Sequence, residues 1–159
     1  MADPTVTQRS TPTGRKLDEG YQTLIAFASN ATVQLWEKSV QPPGMDGGDP
    51  VETTTMHNST YRTMAARKLI TMSPVEVTAA YDPAVYDAIV ALINIEGAIT
   101  VHFSDGSSLS FYGFLQTFEP QAIEEGEQPE ANITIQPTNT DPTDGSEAGP
   151  VYTAPSGTP

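Results

Sequence analysis

Cysteine is absent from the chain, and its 159 residues include a single tryptophan and two histidines. Without cysteine there is no disulfide framework and no thiolate zinc site. His57 and His102 lie far apart, and no group of histidines and carboxylates has the spacing of a metal site. The Gly-x-Ser-x-Gly motif of a hydrolase nucleophile is also missing. The sequence therefore predicts no metal, no cofactor and no catalytic residue, and we do not expect an enzyme.

Long apolar runs are missing as well. No stretch approaches the roughly 18 apolar residues that a membrane helix requires, and residues 1–4 lack the apolar segment of a signal peptide. We therefore expect no membrane partner. The length suits one domain, while 14 prolines and 12 glycines indicate many loops.

Positive charge is missing from the second half of the chain. All lysines and arginines precede Leu69, where seven acidic residues balance them, so residues 69–159 carry the whole net charge of −13. The seven bases are Arg9, Arg15, Lys16, Lys38, Arg62, Arg67 and Lys68. An acidic surface does not bind nucleic acid through its phosphates, but it would repel DNA from a wall along which DNA slides. The ordinary alternative is that the acidity maintains solubility.

A helix followed by a strand hairpin is predicted between Tyr81 and Phe118. Asp82 can cap the helix, Pro83 suits its first position, and Gly97 is a typical C-terminal stop. The apolar stripe that should pack this helix on a sheet is Val85, Ile89, Leu92 and Ile93. The period then changes from 3.6 to 2, and Asp105-Gly106 predicts a tight turn with positive φ.

The return strand of this hairpin is apolar on both faces. Leu109, Phe111, Gly113 and Leu115 alternate there with Tyr112 and Phe114. A strand of this kind is covered twice, by a core on one side and by a helix or a neighbouring subunit on the other. The pattern favours an assembly component over a catalyst.

Further strands are predicted over residues 21–28, 32–40, 51–56, 75–80 and 131–136. The fold class is therefore mostly β, a β-sandwich or barrel with one flanking α-helix, a long inter-strand loop and flexible N- and C-terminal arms. We divide the chain into an N-terminal arm (1–19), a β domain (20–137) and a flexible C-terminal tail (138–159). The tail is too rich in Pro, Thr, Gly and Asp to bury the apolar area that would offset its ordering entropy.

The segment from Gln41 to Pro50 contains three prolines and three glycines, a composition that argues against regular structure. It lacks the alternating oxygen ligands of a calcium loop, and no Gly-Lys-Ser/Thr follows as in a phosphate loop. We therefore expect a long mobile loop, disordered in a free monomer, of the kind that is usually functional or disordered.

Several motifs occur in a specific order along the chain: a glycine-rich loop leading to Glu-Thr-Thr at residues 52–54, a Tyr-Asp-Pro helix start at residues 81–83, and a Ser-Asp-Gly-Ser hairpin at residues 104–107. With the stretches around them, 43–57, 60–69, 78–94, 103–120 and more weakly 132–139, they cover most of residues 20–139. In this order they resemble the tail tube (major tail) proteins of long-tailed, non-contractile bacteriophages.

The resemblance implies a structural virion protein. Protomers of that family form hexameric rings, their strands join into one β-barrel around a lumen, and the rings stack into a tube that conducts DNA into the host. The implied partners are further copies of the chain and the tape measure, tail tip and terminator proteins, while DNA passes through the lumen without specific binding. The implied location is the virion tail, with the host cytoplasm during assembly.

The resemblance also assigns roles to two groups of residues. The family's long loop contacts the next ring, and the matching stacking residues here are Pro43, Gly44, Met45, Asp46, Gly47, Gly48, Asp49, Pro50 and Glu52. Glu76 and Thr78, on the polar side of the predicted strand 75–80, are our candidates for the lumen face.

Two alternative interpretations stay open at this point. One is a tube protein of a contractile or secretion system, which a sheath-like partner encoded nearby would distinguish. The other is a β-sandwich ligand-binding module, which would require an exposed aromatic platform built from Trp36 and some of the six tyrosines.

Overall fold

The computed structural model describes residues 23–30, 33 and 35–155, so the predicted N-terminal segment over residues 1–19 lies outside the described residues. The strands are β1 (Leu24–Phe27), β2 (Trp36–Gln41), β3 (Met45–Asp46), β4 (Val51–Glu52), β5 (Met64–Ala65), β6 (Thr71–Met72), β7 (Val75–Ala80), β8 (Gly97–His102), β9 (Ser108–Pro120), β10 (Glu130–Pro137) and β11 (Val151–Thr153). A 3₁₀ turn at Pro83–Val85 leads into the helix α1 (Tyr86–Val90).

One antiparallel sheet of seven strands dominates the fold. Its order is β1-β8-β9-β10-β7-β2, and β11 pairs with β9 beside this path. The 13-residue β9 pairs with β8 through its first half and with β10 through its second half. The prediction of a mostly β fold with one flanking helix is confirmed.

The core lies on one face of this sheet, because alternate residues of each strand point to the same side. Val75 and Val77 of β7 are buried together with Ile133 and Ile135 of β10. The sheet curls, since β1 and β2 at its two ends contribute to the same core and the Ile25 N–H donates to Glu37 Oε1 over 2.9 Å. The result is an incompletely closed barrel.

The helix packs on the sheet but is shorter than its apolar stripe predicts. Asp82 caps the helical segment, accepting a 2.9 Å hydrogen bond from the Ala84 N–H. Ile89 and Leu92 are buried, and the remaining stripe residues, Val85 and Ile93, pack against the core.

The predicted helix stop at Gly97 is wrong, because α1 ends at Val90 and Gly97 begins β8. Asn94 takes a left-handed conformation (φ 63°), and its N–H donates to the Leu115 carbonyl over 3.0 Å. The chain therefore leaves the helix early in order to pair with β9.

The hairpin between β8 and β9 turns at Gly106, which has the positive φ (86°) that the sequence predicts. The turn is longer than a two-residue one: the Phe103 N–H donates to the Ser107 carbonyl, and the Gly106 N–H donates to the Phe103 carbonyl. Three residues, 104–106, therefore form the loop, the next most common hairpin type. The Asp105 carboxylate accepts from the Ser107 N–H over 2.8 Å and stabilises the turn.

The C-terminal segment differs from the expected flexible tail as far as residue 155. Its residues Val151, Tyr152 and Thr153 form β11, which pairs with Ser108–Ser110 of β9. The preceding turns are held by backbone bonds such as Asp141 N–H to the Ser146 carbonyl, 2.8 Å. The tail thus satisfies its backbone polar groups by extending an existing sheet, which does not require a core of its own.

Candidate functional site

Residues 42–73, between β2 and β7, form a projecting hairpin that we call the arm. Its two strands pair near the sheet through β3 and β6 and farther out through β4 and β5. The prediction that residues 41–50 lack regular structure is wrong for Met45 and Asp46, which form β3. The predicted strand over residues 51–56 is confined to Val51 and Glu52.

Local hydrogen bonds explain why a Gly/Pro-rich segment folds in this way. Gly48 takes a positive φ of 76°, and its N–H donates to Asp46 Oδ1 over 2.8 Å. The Arg67 Nε donates to the Asp49 carbonyl over 2.7 Å and connects the two strands where the pairing is interrupted. At the outer end, the Thr53 N–H donates to the Thr63 carbonyl, and Asn58 closes the tip.

The arm leaves many large apolar side chains in solvent. Only Met72, at its root, is buried. The exposed ones are Met45, Val51, Met56, Tyr61, Met64, Leu69 and Ile70, with Met56 and Leu69 at 103% and 82% exposure. Exposed apolar side chains concentrated in one segment favour an interaction site there. Its signal in the sequence is the group of apolar residues from Tyr61 to Ile70, which the predicted mobile loop over residues 41–50 did not include.

The arm also carries most of the positive charge that the structure describes. Arg62, Arg67 and Lys68 lie on it, and the remaining described base, Lys38 on β2, forms an ion pair with Glu130. Arg62 lies 3.3 Å from Glu52 in an exposed pair, the kind that contributes little to stability. The thirteen acids after Leu69 all lie off the arm, within the described residues.

A second surface lies at the end of the sheet opposite the root of the arm. Trp36 at the start of β2 pairs with Ala80 at the end of β7, which in turn pairs with Glu130 at the start of β10. Gln41 and Glu76, beside the root of the arm, pair at the other end of the same two strands. The connection between β9 and β10, residues 121–129, therefore lies at the end of the sheet that is remote from the arm.

This remote end combines exposed apolar groups with acids. Ile123 is 64% exposed and Trp36 is 67% exposed. Glu124, Glu125 and Glu127 are exposed in the same connection. We call the surface formed by Trp36 and residues 121–129 the distal end.

The lumen candidates lie on the side of the sheet that faces away from the core. Glu76 is exposed and Thr78 is half-buried, while their neighbours Val75, Val77 and Ala79 point into the core. The Thr78 hydroxyl donates to Asn132 Oδ1 on β10 over 3.3 Å. Glu76 and Thr78 therefore belong to one polar sheet face.

A cleft of about 1080 Å³ separates β1 from β2, the two strands at the ends of the sheet. Its walls include Leu24, Ile25, Val33, Leu35 and Trp36. Both strands have one edge that is unpaired among the strands that the structure describes. His102 is part of the same wall and His57 is exposed near the tip of the arm, so the two histidines are not brought together.

Two ionisable groups among the described residues have a shifted pKa. The negative charge of Asp141 raises the pKa of Tyr112, whose hydroxyl lies 3.4 Å from the Asp141 carboxylate. Hydrogen bonds from Ser146 lower the pKa of Asp144. Within the described residues, no three His, Asp or Glu side chains are arranged to hold a metal ion, and no helix there is long and apolar enough to span a membrane. Asp144 belongs to the turns that precede β11, and Tyr112 is a residue of β9 that contacts Asp141 in those turns.

Comparison with known protein families and with curated proteins gives no match. Comparison with solved structures gives matches to chains of tail and baseplate particles. A chain in the tail of an empty gene transfer agent particle, determined with C6 symmetry, aligns with a TM-score of 0.60 at 11% identity, over 87% of this chain and 100% of that one. This protein therefore shares the fold of that chain. A chain of the native gene transfer agent virion matches over the same shares, with a TM-score of 0.59 and 11% identity.

A further match comes from the baseplate of the anti-feeding prophage, determined with six-fold symmetry. The TM-score is 0.60 at 4% identity, over 78% of this chain and 93% of the other. At such low identities the likeness establishes the fold alone. It agrees with the tail tube resemblance found in the sequence.

Proposed function

We propose that the protein is a structural virion protein, the subunit of a phage tail tube, and that it forms hexameric rings which stack into a conduit for DNA. The observation that carries the proposal is the fold shared with a chain of a C6-symmetric tail over 87% of the sequence. The exposed arm supports it, because an isolated protein gains nothing from seven large apolar side chains in solvent.

The ring is proposed to form through the free edges of β1 and β2. An unpaired strand edge is a template for pairing with another chain, and closure into a ring removes every such edge. Six protomers joined in this way would line a lumen with one sheet face each. We propose the polar face with Glu76 and Thr78 as that lining, because an acidic wall lets DNA slide without binding it.

Stacking is proposed to use the arm. The residues assigned to it are Pro43, Gly44, Met45, Asp46, Gly47, Gly48, Asp49, Pro50 and Glu52, to which the structure adds the apolar residues of the returning strand. Tape measure, tail tip and terminator proteins would bind the ends of the finished tube. Assembly would take place in the host cytoplasm and end in the virion tail.

The test is electron microscopy of the purified protein over a range of concentrations. We expect rings with six-fold symmetry and, at higher concentration, tubes built from them. A protein that stays monomeric at every concentration, and also with tail extracts as initiator, would contradict the proposal.

A tube protein of a contractile or secretion system is a second candidate, because a chain from a baseplate aligns with the same TM-score, 0.60, as the chain from a tail. The two candidates differ in the outer surface of the tube, which must bind a sheath only in the contractile case. Co-assembly with a sheath protein encoded beside this chain would favour the second candidate.

A further inference from the structure

We propose that the arm of one copy docks on the distal end of a second copy, placing the cations of the arm against the acids of residues 121–129. The inference rests on the proposed stacking function and names the surface that receives the arm. It follows from where the sheet places the two surfaces and from their matching chemistry.

Topology directs the contact to another molecule. The arm leaves the sheet beside Gln41 and Glu76, while the distal end begins at Ala80 and Glu130, at the other end of the same strands. The six residues of β7 separate the two ends by about 20 Å at 3.3 Å per residue. The arm leaves the sheet at the opposite end, so a copy that follows in the same orientation presents its distal end to the arm.

Such a contact is head-to-tail. A surface that binds a different surface of the next copy repeats without limit when the copies are related mainly by translation, and the product is a filament. One arm and one distal end per protomer supply this geometry. The paired part of the arm, Gly44 to Thr55, extends roughly 40 Å at the same rise per residue, enough to reach along the whole height of a neighbouring sheet.

The returning strand of the arm is basic and the distal end is acidic, while Asp46, Asp49 and Glu52 on the outgoing strand make the arm as a whole neutral. Lys68 makes no ion pair among the described residues, and Arg62 has only its exposed pair with Glu52. The distal end offers Glu124, Glu125 and Glu127 in return, and no base lies within residues 121–129. Opposite charges at an interface fix its register and suppress wrong pairings more than they add affinity.

The two surfaces also match in apolar content. Leu69 and Ile70 on the arm are 82% and 65% exposed, next to the basic pair Arg67-Lys68. Ile123 and Trp36 on the distal end are exposed to a similar extent and lie beside the acids. Apolar contacts surrounded by charge pairs are the usual composition of a specific interface.

Charge reversal on each side tests the pairing. Variant A carries R62E and K68E on the arm, and variant B carries E124K and E125K on the distal end. We expect both to fold and form rings but to lose the tubes that sediment in the wild type. In a mixture of A and B rings, each A arm meets a B distal end and each B arm meets an A distal end, so tubes of alternating rings should return.

A control is E147K, which makes one of variant B's two Glu→Lys changes at a position in the turn before β11, at the arm-root end of the sheet, and should leave tubes intact. Tubes of normal length from A or B alone would overturn the proposal, and so would a mixture of folded A and B rings that fails to stack. Failure of the tube function itself looks different, because the wild type would then form neither rings nor tubes.

Discussion

Replacement of Gly113 by alanine tests how closely β9 and β10 approach at the end of their pairing, where Gly113 lies opposite Pro137. A Cβ at position 113 would lie 2.6 Å from the Gln136 carbonyl oxygen and 3.2 Å from the Pro137 Cα. Both are backbone atoms of β10, so no side chain can rotate away to make room. One of the two central strands must therefore move.

The expected cost follows from that geometry. Forcing an extra carbon into a well-packed interior typically costs 1–3 kcal/mol, and displacement of paired backbone favours the upper part of this range, about 2–3 kcal/mol. In a domain of this size each kcal/mol lowers Tm by about 2–4 °C. We therefore expect Gly113→Ala to lower Tm by roughly 4–12 °C.

The measurement is thermal unfolding of dilute, unassembled protein followed by circular dichroism. Gly149→Ala is the control, because a Cβ at that position meets no atom within 4 Å, and it should melt with the wild type. If both variants melt with the wild type, β9 and β10 are farther apart at this point than the structure has them, and the reasoning fails.

Three further predictions concern the helix, the polar face and the arm. Ile89→Ala removes a buried side chain of the helix and should lower the free energy of unfolding by about 2–5 kcal/mol. Val90→Ala, at an exposed position, should lower it far less. Equal Tm values for the two variants would mean that the helix does not pack through Ile89. Glu76→Lys should leave tubes intact but slow DNA ejection, since charge acts across about 8 Å at physiological salt, and normal ejection in phage carrying it would place Glu76 off the lumen. Replacing residues 47–70 by a short glycine-containing turn should abolish tubes while rings and the monomer's Tm persist; stacked rings from this variant would remove the arm from the interface.

The sheet and its helix were largely predictable from the sequence because periodicity reports burial directly. The inward residues of β7 alternate strictly, and the observed strand Val75–Ala80 has the predicted bounds. The helical stripe identified the residues that pack, since Ile89 and Leu92 are buried. The helix end was not predictable, because it depends on Asn94 bonding to Leu115, a residue of a strand that comes later in the chain.

The arm and the C-terminal strand were not predictable for a different reason. Neither buries a face, so neither has the period that reveals a strand within a core. The arm forms through hydrogen bonds between its own two strands, such as that from Arg67 to the Asp49 carbonyl, 18 residues apart. The strand β11 forms because β9 offers an unpaired edge to Val151–Thr153, and a sequence pattern does not show which edges are free.

The pairing of β11 with β9 has a consequence for how many neighbours one molecule can accept. β10 covers the second half of β9 on one side, and β11 covers Ser108–Ser110 on that same side, so this long central strand has no open stretch there for a foreign chain. The outer edge that β11 presents instead is three residues long, too short to recruit a partner strand effectively. Lateral growth is thereby left to β1 and β2 among the described strands. A protomer that pairs laterally through two strand edges can form a closed ring or an open row of protomers, but not a branched one.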